Sequence, residues 1–258
     1  MNLTKYLTTK TGKAIGDFNL IKNGDRILVA LSGGKDSWTL LHVLYELRKK
    51  APVDFELHPV TIDPGFPDFD TSLISEYIIK NYSDLDPITE RSNISEVLSG
   101  FKTPGKSICS FCSRLRRGIL YRIAFENNYN KIALGHHADD FIETLLLNQF
   151  FNGRIKSMSP LLYSEDGRNT VIRPLCYVHE NIIINFIKSA GFPIPDNKCP
   201  AKKTAGNRLR IKNLITDLSD QFPGIRSSLL KSLSKIDTRH MMDKDYWPEI
   251  KDLMDKTI

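Results

Sequence analysis

One junction constrains this chain more than any other. Residues 26–31, Arg-Ile-Leu-Val-Ala-Leu, follow the turn signal Asn23-Gly24-Asp25 and run straight into Ser32-Gly33-Gly34-Lys35-Asp36-Ser37. A short, continuous apolar run with turn signals on both sides reads as a strand buried on both faces, as in a parallel sheet. Helical spacing follows. Trp38, Leu41 and Tyr45 fall on one stripe and Leu40, Leu44 and Leu47 on the next, which predicts a helix over 36–49. Two glycines at such a turn let the backbone approach an anion, and successive N–H groups with the helix N-terminus cradle it. Ser32 and Ser37 add hydroxyls and Lys35 a positive charge. The spacing is not that of the mononucleotide loop Gly-x-x-x-x-Gly-Lys-Ser/Thr. The plainer alternative is a Gly-Gly turn with Asp36 capping a helix.

Strands and helices alternate along the rest of the chain. Strands are predicted over 55–62, 87–90, 131–135 and 171–173, and helices over 71–81, 112–127 and 138–151. From residue 179 the pattern is helical, broken at Gly191-Phe192-Pro193 and Phe222-Pro223-Gly224. Such alternation implies an α/β fold with a parallel sheet and right-handed crossovers. Ligands in such sheets bind beyond the carboxyl ends of the strands. Three polar clusters fall there: Ser32 to Ser37, Asp63, and Gly135-His136-His137-Ala138-Asp139-Asp140. Asp63 is placed for the adenosine half of a nucleotide, with a turn before Pro64-Gly65 as its alternative. Asp139, Asp140 and Glu143 offer the hard oxygen ligands that suit Mg²⁺, or the acids that complement a helix N-terminus. The expected division is a lead-in over 1–24, a nucleotide domain over 25–178 and a helical part over 179–258. No apolar run of about 18 residues suggests a membrane span, and no signal-peptide core follows Met1. The cytoplasm is the expected compartment.

The net charge of +6 is uneven. Lys102, Lys106, Arg114, Arg116, Arg117 and Arg122 occur between Phe101 and Phe125 with no acid. Lys198, Lys202, Lys203, Arg208, Arg210 and Lys212 do the same between Asn197 and Ile215. Each run could be a solvated face, but each also carries cysteine. Of the four cysteines, Cys109 and Cys112 form a Cys-x-x-Cys pair, which in a reducing compartment points to a metal, a cluster or a redox pair. Two thiolates alone do not complete a tetrahedral zinc site. Cys176, between Leu175 and Tyr177, reads as a small core residue.

Ser32-Gly33-Gly34-Lys35-Asp36-Ser37 after such a strand resembles the PP-loop of the ATP-pyrophosphatases. The stretch 12–21 with Gly24-Asp25, the stretch 109–118 beginning Cys-Ser-Phe-Cys, Gly135 to Asp140, and Val171-Ile172-Arg173-Pro174-Leu175 resemble the tRNA 2-thiocytidine synthetase (TtcA) family. The resemblance spans roughly residues 10–215. It implies a doubly wound parallel sheet of the PP-loop (adenine nucleotide alpha hydrolase-like) type with helical additions. It implies ATP on Ser32, Gly33, Gly34, Lys35, Asp36 and Ser37, with Asp63, Gly135, His136, Asp139 and Asp140 completing the nucleotide site. It further implies Mg²⁺ and a [4Fe–4S] cluster on Cys109, Cys112 and Cys199, with Lys35, Asp36, Cys109 and Cys112 at the chemistry. Arg114, Arg116, Arg117, Lys202 and Lys203 are expected to meet RNA phosphates. The implied reaction adenylates the C2 carbonyl of a tRNA cytidine and replaces its oxygen with sulfur drawn from a cysteine desulfurase. A homodimer is implied as well. The chain departs from the family around Cys199: Asp196 stands where the family has a further cysteine, and Pro200-Ala201-Lys202 replaces Gly-Ser-Gln. The competing readings are a lysidine-synthetase-like or amide-forming PP-loop enzyme, which needs no cysteines, and a zinc-bearing RNA-binding protein, which needs no intact phosphate loop.

Overall fold

The computed structural model describes residues 2–66, 69–100, 108–194 and 206–243. The elements run α1 (Leu3–Phe18), β1 (Asp25–Ala30), α2 (Lys35–Arg48), β2 (Phe55–Asp63), α3 (Ser72–Asn81), β3 (Ile88–Arg91), α4 (Ile94–Ser99), α5 (Ile108–Glu126), β4 (Lys131–Ala133), α6 (Ala138–Asn152), β5 (Leu161–Tyr163), β6 (Thr170–Ile172), a 3₁₀ turn (Pro174–Tyr177), α7 (Glu180–Ala190), α8 (Asn207–Gln221) and α9 (Ile225–Ser232).

The sheet order is β3-β2-β1-β4-β6-β5. Every neighbouring pair is parallel except β5 with β6. From β1 the chain winds outward through β2 to β3, then returns to the other side of β1 as β4. The reversal point therefore lies between β1 and β4, and in open α/β sheets the crevice beyond the carboxyl ends of those strands is where ligands bind.

Two layers of helices sandwich the sheet. On one face α1, α2 and α7 bury Leu7, Trp38, Leu41, Ile183 and Phe186 against Ile27, Val29, Ala133 and Ile172. On the other, α5 packs Leu120, Ile123 and Ala124 on Leu28, Val60 and Ile132. Trp38, Leu40, Leu41 and Leu44 of the two α2 stripes are buried and Tyr45 and Leu47 half-buried, and Trp38 donates its indole N–H to the Pro193 carbonyl at 2.7 Å. Helices α8 and α9 pack on α6 through Ile142, Leu146, Ile211 and Ile215. Leu7 and Ile183 share one core with Ile27, so helices on both outer sides of the boundaries drawn from sequence pack into the central layers.

Some predicted elements differ. Residues 1–24 contain a full helix, α1, capped by the Asn2 side chain on Lys5 N–H. Helix α5 begins at Ile108, so both cysteines of the pair are helical. The last strand is paired with an antiparallel edge strand, β5, that the sequence pattern did not reveal. No helix among the described residues is long and apolar enough to cross a membrane.

At the amino edge of the sheet, Asp25 and Lys131 form a buried ion pair at 2.6 Å. Lys131 also donates to the Leu20 carbonyl at 2.6 Å, and Asp25 accepts from Asn130 Nδ2 at 2.8 Å and from Lys22 N–H at 2.6 Å. The pair pins the start of β4 to the start of β1.

Candidate nucleotide and cysteine site

At the opposite edge, β1 ends in the loop of residues 32–37. Gly33 takes a left-handed φ of 74°, a conformation that a side chain would strain. The loop is closed by its own hydroxyls. Ser37 Oγ donates to the Gly34 carbonyl at 2.8 Å and accepts from Ser32 N–H at 3.2 Å. Ser37 is thus buried and spent on the loop's shape. Gly34 is the N-cap of α2, and no side chain caps that helix, so its first N–H groups are left for an anion.

Lys35 lies across this end. It contacts both oxygens of Asp36 at 2.9 Å and Glu180 Oε1, at the start of α7, at 3.1 Å. Burial works against its charge, but Asp36 and Glu180 outweigh burial and raise its pKa. Glu180 also binds Lys212 of α8 at 2.7 Å, so one carboxylate ties two helices to the phosphate loop.

After β4, Gly135 passes so close to α2 that an added Cβ would stand 3.0 Å from the Asp36 carbonyl and 3.2 Å from Ser37 N. Only glycine lets the two loops meet. His136 follows, largely buried; burial first and then Arg173 push its pKa down to about 4, so it is a neutral imidazole at physiological pH. His137 Nε2 lies 3.6 Å from Asp36 and 3.5 Å from Asp140.

The acids of the α6 first turn face basic partners. Asp139 accepts from Glu180 N–H at 2.7 Å and pairs with Arg226, with His179 Nδ1 at 3.4 Å. Burial alone would raise its pKa, but His179, the Glu180 N–H and Arg226 together drive it far below the usual carboxylate range. Asp140 accepts from His137 N–H at 2.9 Å. Arg208 of α8 spans Asp140, at 2.5 Å, and Glu143, at 2.7 Å. Asp139 therefore anchors α7 and α9, and Asp140 and Glu143 anchor α8.

The cysteine helix comes from the other face. The carboxyl half of α5 packs on β1, β2 and β4 and leads directly into the start of β4, so its amino half lies toward the carboxyl edge of the sheet. Cys109 is exposed and Cys112 half-buried. At a spacing of three they share one helix face. Cys176 is buried in a small apolar cluster with Ala14 and Phe141, and burial pushes its thiol up to about 12, the setting of a small core residue. The described donor set, two soft sulfurs on one accessible face, suits two corners of an iron–sulfur cluster. Cys199, expected as the third, lies outside the described residues. Among the described residues no group of three or more His, Cys, Asp or Glu is arranged to hold a metal ion.

Comparison with known proteins decides the family. A model for the PP-loop domain matches residues 3–216. The chain is 48% identical over 242 residues to the tRNA-cytidine(32) 2-sulfurtransferase of Syntrophotalea carbinolica, covering 93% of each. It is 45% identical over 240 residues to the protein of the same name from Geobacter sulfurreducens, again covering 93% of each. The chain belongs to the tRNA-cytidine(32) 2-sulfurtransferase family. Its fold also matches that of the U34-tRNA thiolase NcsA from Methanococcus maripaludis, solved with its [4Fe-4S] cluster. The TM-score is 0.74 at 22% identity, over 92% of this chain and 80% of that one.

For a member of the 2-sulfurtransferase family, the structure brings together residues 32–37, Gly135, His136, Asp139 and Asp140 at one sheet edge. Asp63 is the last residue of β2, and its Oδ1 accepts from Gly65 N–H at 2.8 Å, forming the turn that sequence offered as its alternative. Arg114 and Arg117 are exposed on α5, and Arg116 is half-buried with its Nε unpaired. Lys202 and Lys203 lie outside the described residues. Four residues that contact this edge were not expected there as partners: Arg173, Glu180, Arg208 and Arg226. Arg173 had a signal, a charge ending an apolar strand at the ligand edge. Arg208 stood out only as part of a basic run, and its pairing left no trace, since it meets its acids 65 and 68 residues away; Arg226 meets Asp139 87 residues away.

Proposed function

We propose that this protein thiolates a tRNA cytidine in the anticodon loop at the expense of ATP, converting it to 2-thiocytidine. The reading is supported above all by one juxtaposition: a ligand-ready phosphate loop and a Cys-x-x-Cys helix rich in arginine approach the same edge of one sheet.

ATP binds with its β- and γ-phosphates on the loop of residues 32–37, where Lys35 exchanges Asp36 and Glu180 for phosphate oxygens. Gly135 and His136 form the adjoining wall, and Asp63 lies at the adenosine end. The cytosine C2 oxygen attacks the α-phosphorus, the bond to pyrophosphate breaks, and loop N–H groups with Lys35 stabilise the departing charge. Mg²⁺ would accompany the phosphates in this reading and supply charge neutralisation; Asp36 and Glu180, paired with lysines rather than arginines, are the carboxylates that could hold it. The adenylated base carries a good leaving group at C2: sulfide-level sulfur, as HS⁻, adds to C2, the C2–O bond breaks, AMP departs with that oxygen, and loss of the S–H proton leaves C2=S. Cys109, Cys112 and Cys199 would hold a [4Fe–4S] cluster, which when bound supplies an iron with no protein thiolate for carrying sulfur. Arg114, Arg116 and Arg117, with Lys202 and Lys203, hold the RNA through its phosphates. A cysteine desulfurase supplies the sulfur as a persulfide, two equivalents of a thiol reductant release it as hydrosulfide and leave as a disulfide, and the protein acts as a cytoplasmic homodimer.

The test is mass spectrometry of tRNA nucleosides from a strain lacking the gene. Loss of 2-thiocytidine, restored by the wild-type gene and not by Cys112→Ser, is the expected result. An unchanged 2-thiocytidine level rejects the reading.

A further inference from the structure

Arg173 directly follows β6 and is only 6% exposed. Ala133 pairs with Ile172, and Leu134 N–H donates to the Ile172 carbonyl at 3.0 Å, so Arg173 stands beside Leu134 and close to Gly135 and His136. Pairing puts Ile132 and Val171 on the α5 face of the sheet and, by alternation, Arg173 with them. One guanidinium nitrogen, Nη1, donates to the Ser159 carbonyl at 2.6 Å; Nε is buried with no partner. The charged neighbour that acts on it is another cation, Arg117 of α5, with the Tyr121 hydroxyl beyond. No carboxylate pairs with it among the described residues.

Two other cations on this edge do have acids: Lys35 has Asp36 and Glu180, and Arg226 has Asp139. Burying a guanidinium without a counter-charge is costly, and bringing a second arginine up to it adds repulsion. A further unsatisfied ring nitrogen, His136 Nδ1, belongs to a residue that feels the Arg173 charge. The guanidinium fork matches two oxygens of a phosphate. About two strand spacings, or roughly 10 Å, separate β6 from β1, which feeds the glycine loop. The vacant cationic corner thus lies on the α5 side of the nucleotide site, between the phosphate loop and the cysteine helix.

We propose that Arg173, flanked by Arg117 and His136, is a second phosphate-binding site, separate from the glycine loop, that grips a substrate phosphate where nucleotide and RNA meet. Resting on the thiolation reading, the phosphate comes either from the α-position of the nucleotide or from the RNA backbone beside the reacting base.

The experiment uses the full-length, anaerobically purified protein and calorimetric titration with pyrophosphate, AMP and unthiolated tRNA in turn. Arg173→Gln is expected to weaken AMP or tRNA by about tenfold or more while leaving pyrophosphate within about twofold. Arg173→Lys, which keeps charge but not the fork, recovers part of the loss. A loss confined to AMP identifies the α-phosphate, and one confined to tRNA the RNA backbone. Arg117→Gln, at an exposed position, gives a smaller loss in the same titration and keeps the test open if the Arg173 variants do not fold. AMP and tRNA binding equal to wild type in all variants overturns the site, as does a parallel loss of pyrophosphate. Wild-type protein that binds both ligands yet makes no 2-thiocytidine rejects the thiolation reading instead.

Discussion

At the amino edge of the central sheet, Asp25 and Lys131 meet at 2.6 Å, and a side-chain amide, a backbone N–H and a carbonyl take up further bonding capacity of the pair. At the carboxyl edge, His136 and His137 each keep a buried ring nitrogen unpaired, and Arg173 keeps a buried N–H unpaired. Among the described residues, Asn169 Oδ1 is the comparable atom near the amino edge. Both edges bury charge, and only one leaves it unmatched. Charge that is matched within the chain holds the strands in place; charge left unmatched marks where something else is meant to bind.

That contrast can be broken. The largest effect is expected at the amino edge. Asp25→Ala leaves the Lys131 ammonium buried with only the Leu20 carbonyl, and stability should fall by about 3–5 kcal/mol. Urea unfolding checks this, and ATP binding by the fraction still folded should be unchanged. A small loss there would show that the pair does not pin β4 to β1. Next comes Lys35→Ala at the carboxyl edge. It should slow ATP-dependent thiolation by about 10²–10³-fold, the usual cost of one transition-state charge donor. Stability should hardly move, because Glu180 keeps Lys212. Single-turnover thiolation beside a melting curve separates the two, and a variant that melts early but thiolates at the normal rate would reverse the assignment.

The smallest effect sharpens the contrast within the carboxyl edge itself. Asp139 is the matched carboxylate there, held far below its ordinary pKa against the pull of burial by His179, the Glu180 N–H and Arg226. A depressed folded pKa gives stability that is present above the unfolded value, near 3.9, and is lost as pH falls through the folded one. Wild-type stability should therefore drop on acidification below about pH 4, and Asp139→Asn should show a shallower acid limb with no change of slope between pH 5 and 8. An identical acid limb would mean that Asp139 is not anchoring α7 and α9.

What the sequence made legible is local. The strand, the loop of residues 32–37 and α2 are contiguous, and their apolar spacing and glycines carry the whole instruction. Helix α1 was harder. Its Thr4, Thr8, Thr9 and Thr11 are β-branched and Gly12 and Gly16 are flexible, all poor in intrinsic helicity; burial of Leu7, Thr11 and Ala14 against the core decides for the helix. Strand β5, three residues long, is too short to show alternation and exists because β6 offers it an edge. At the site, Ser32 to Ser37 and Gly135 to Asp140 were visible as polar clusters after strands. That Asp139, Asp140 and Glu143 would meet Arg226 and Arg208 was not, because such pairs depend on how α8 and α9 dock and leave no trace in spacing.

Gly135 sets a limit on transplanting this site. The phosphate loop looks like a portable unit of six residues, but its shape rests on a neighbouring strand whose end has no side chain where it touches Asp36 and Ser37. A sheet that received the loop alone, with any larger residue at the end of the adjacent strand, would meet the first turn of the new helix with a methyl group and push it off its axis. The smallest transferable unit is therefore a pair of adjacent strand ends.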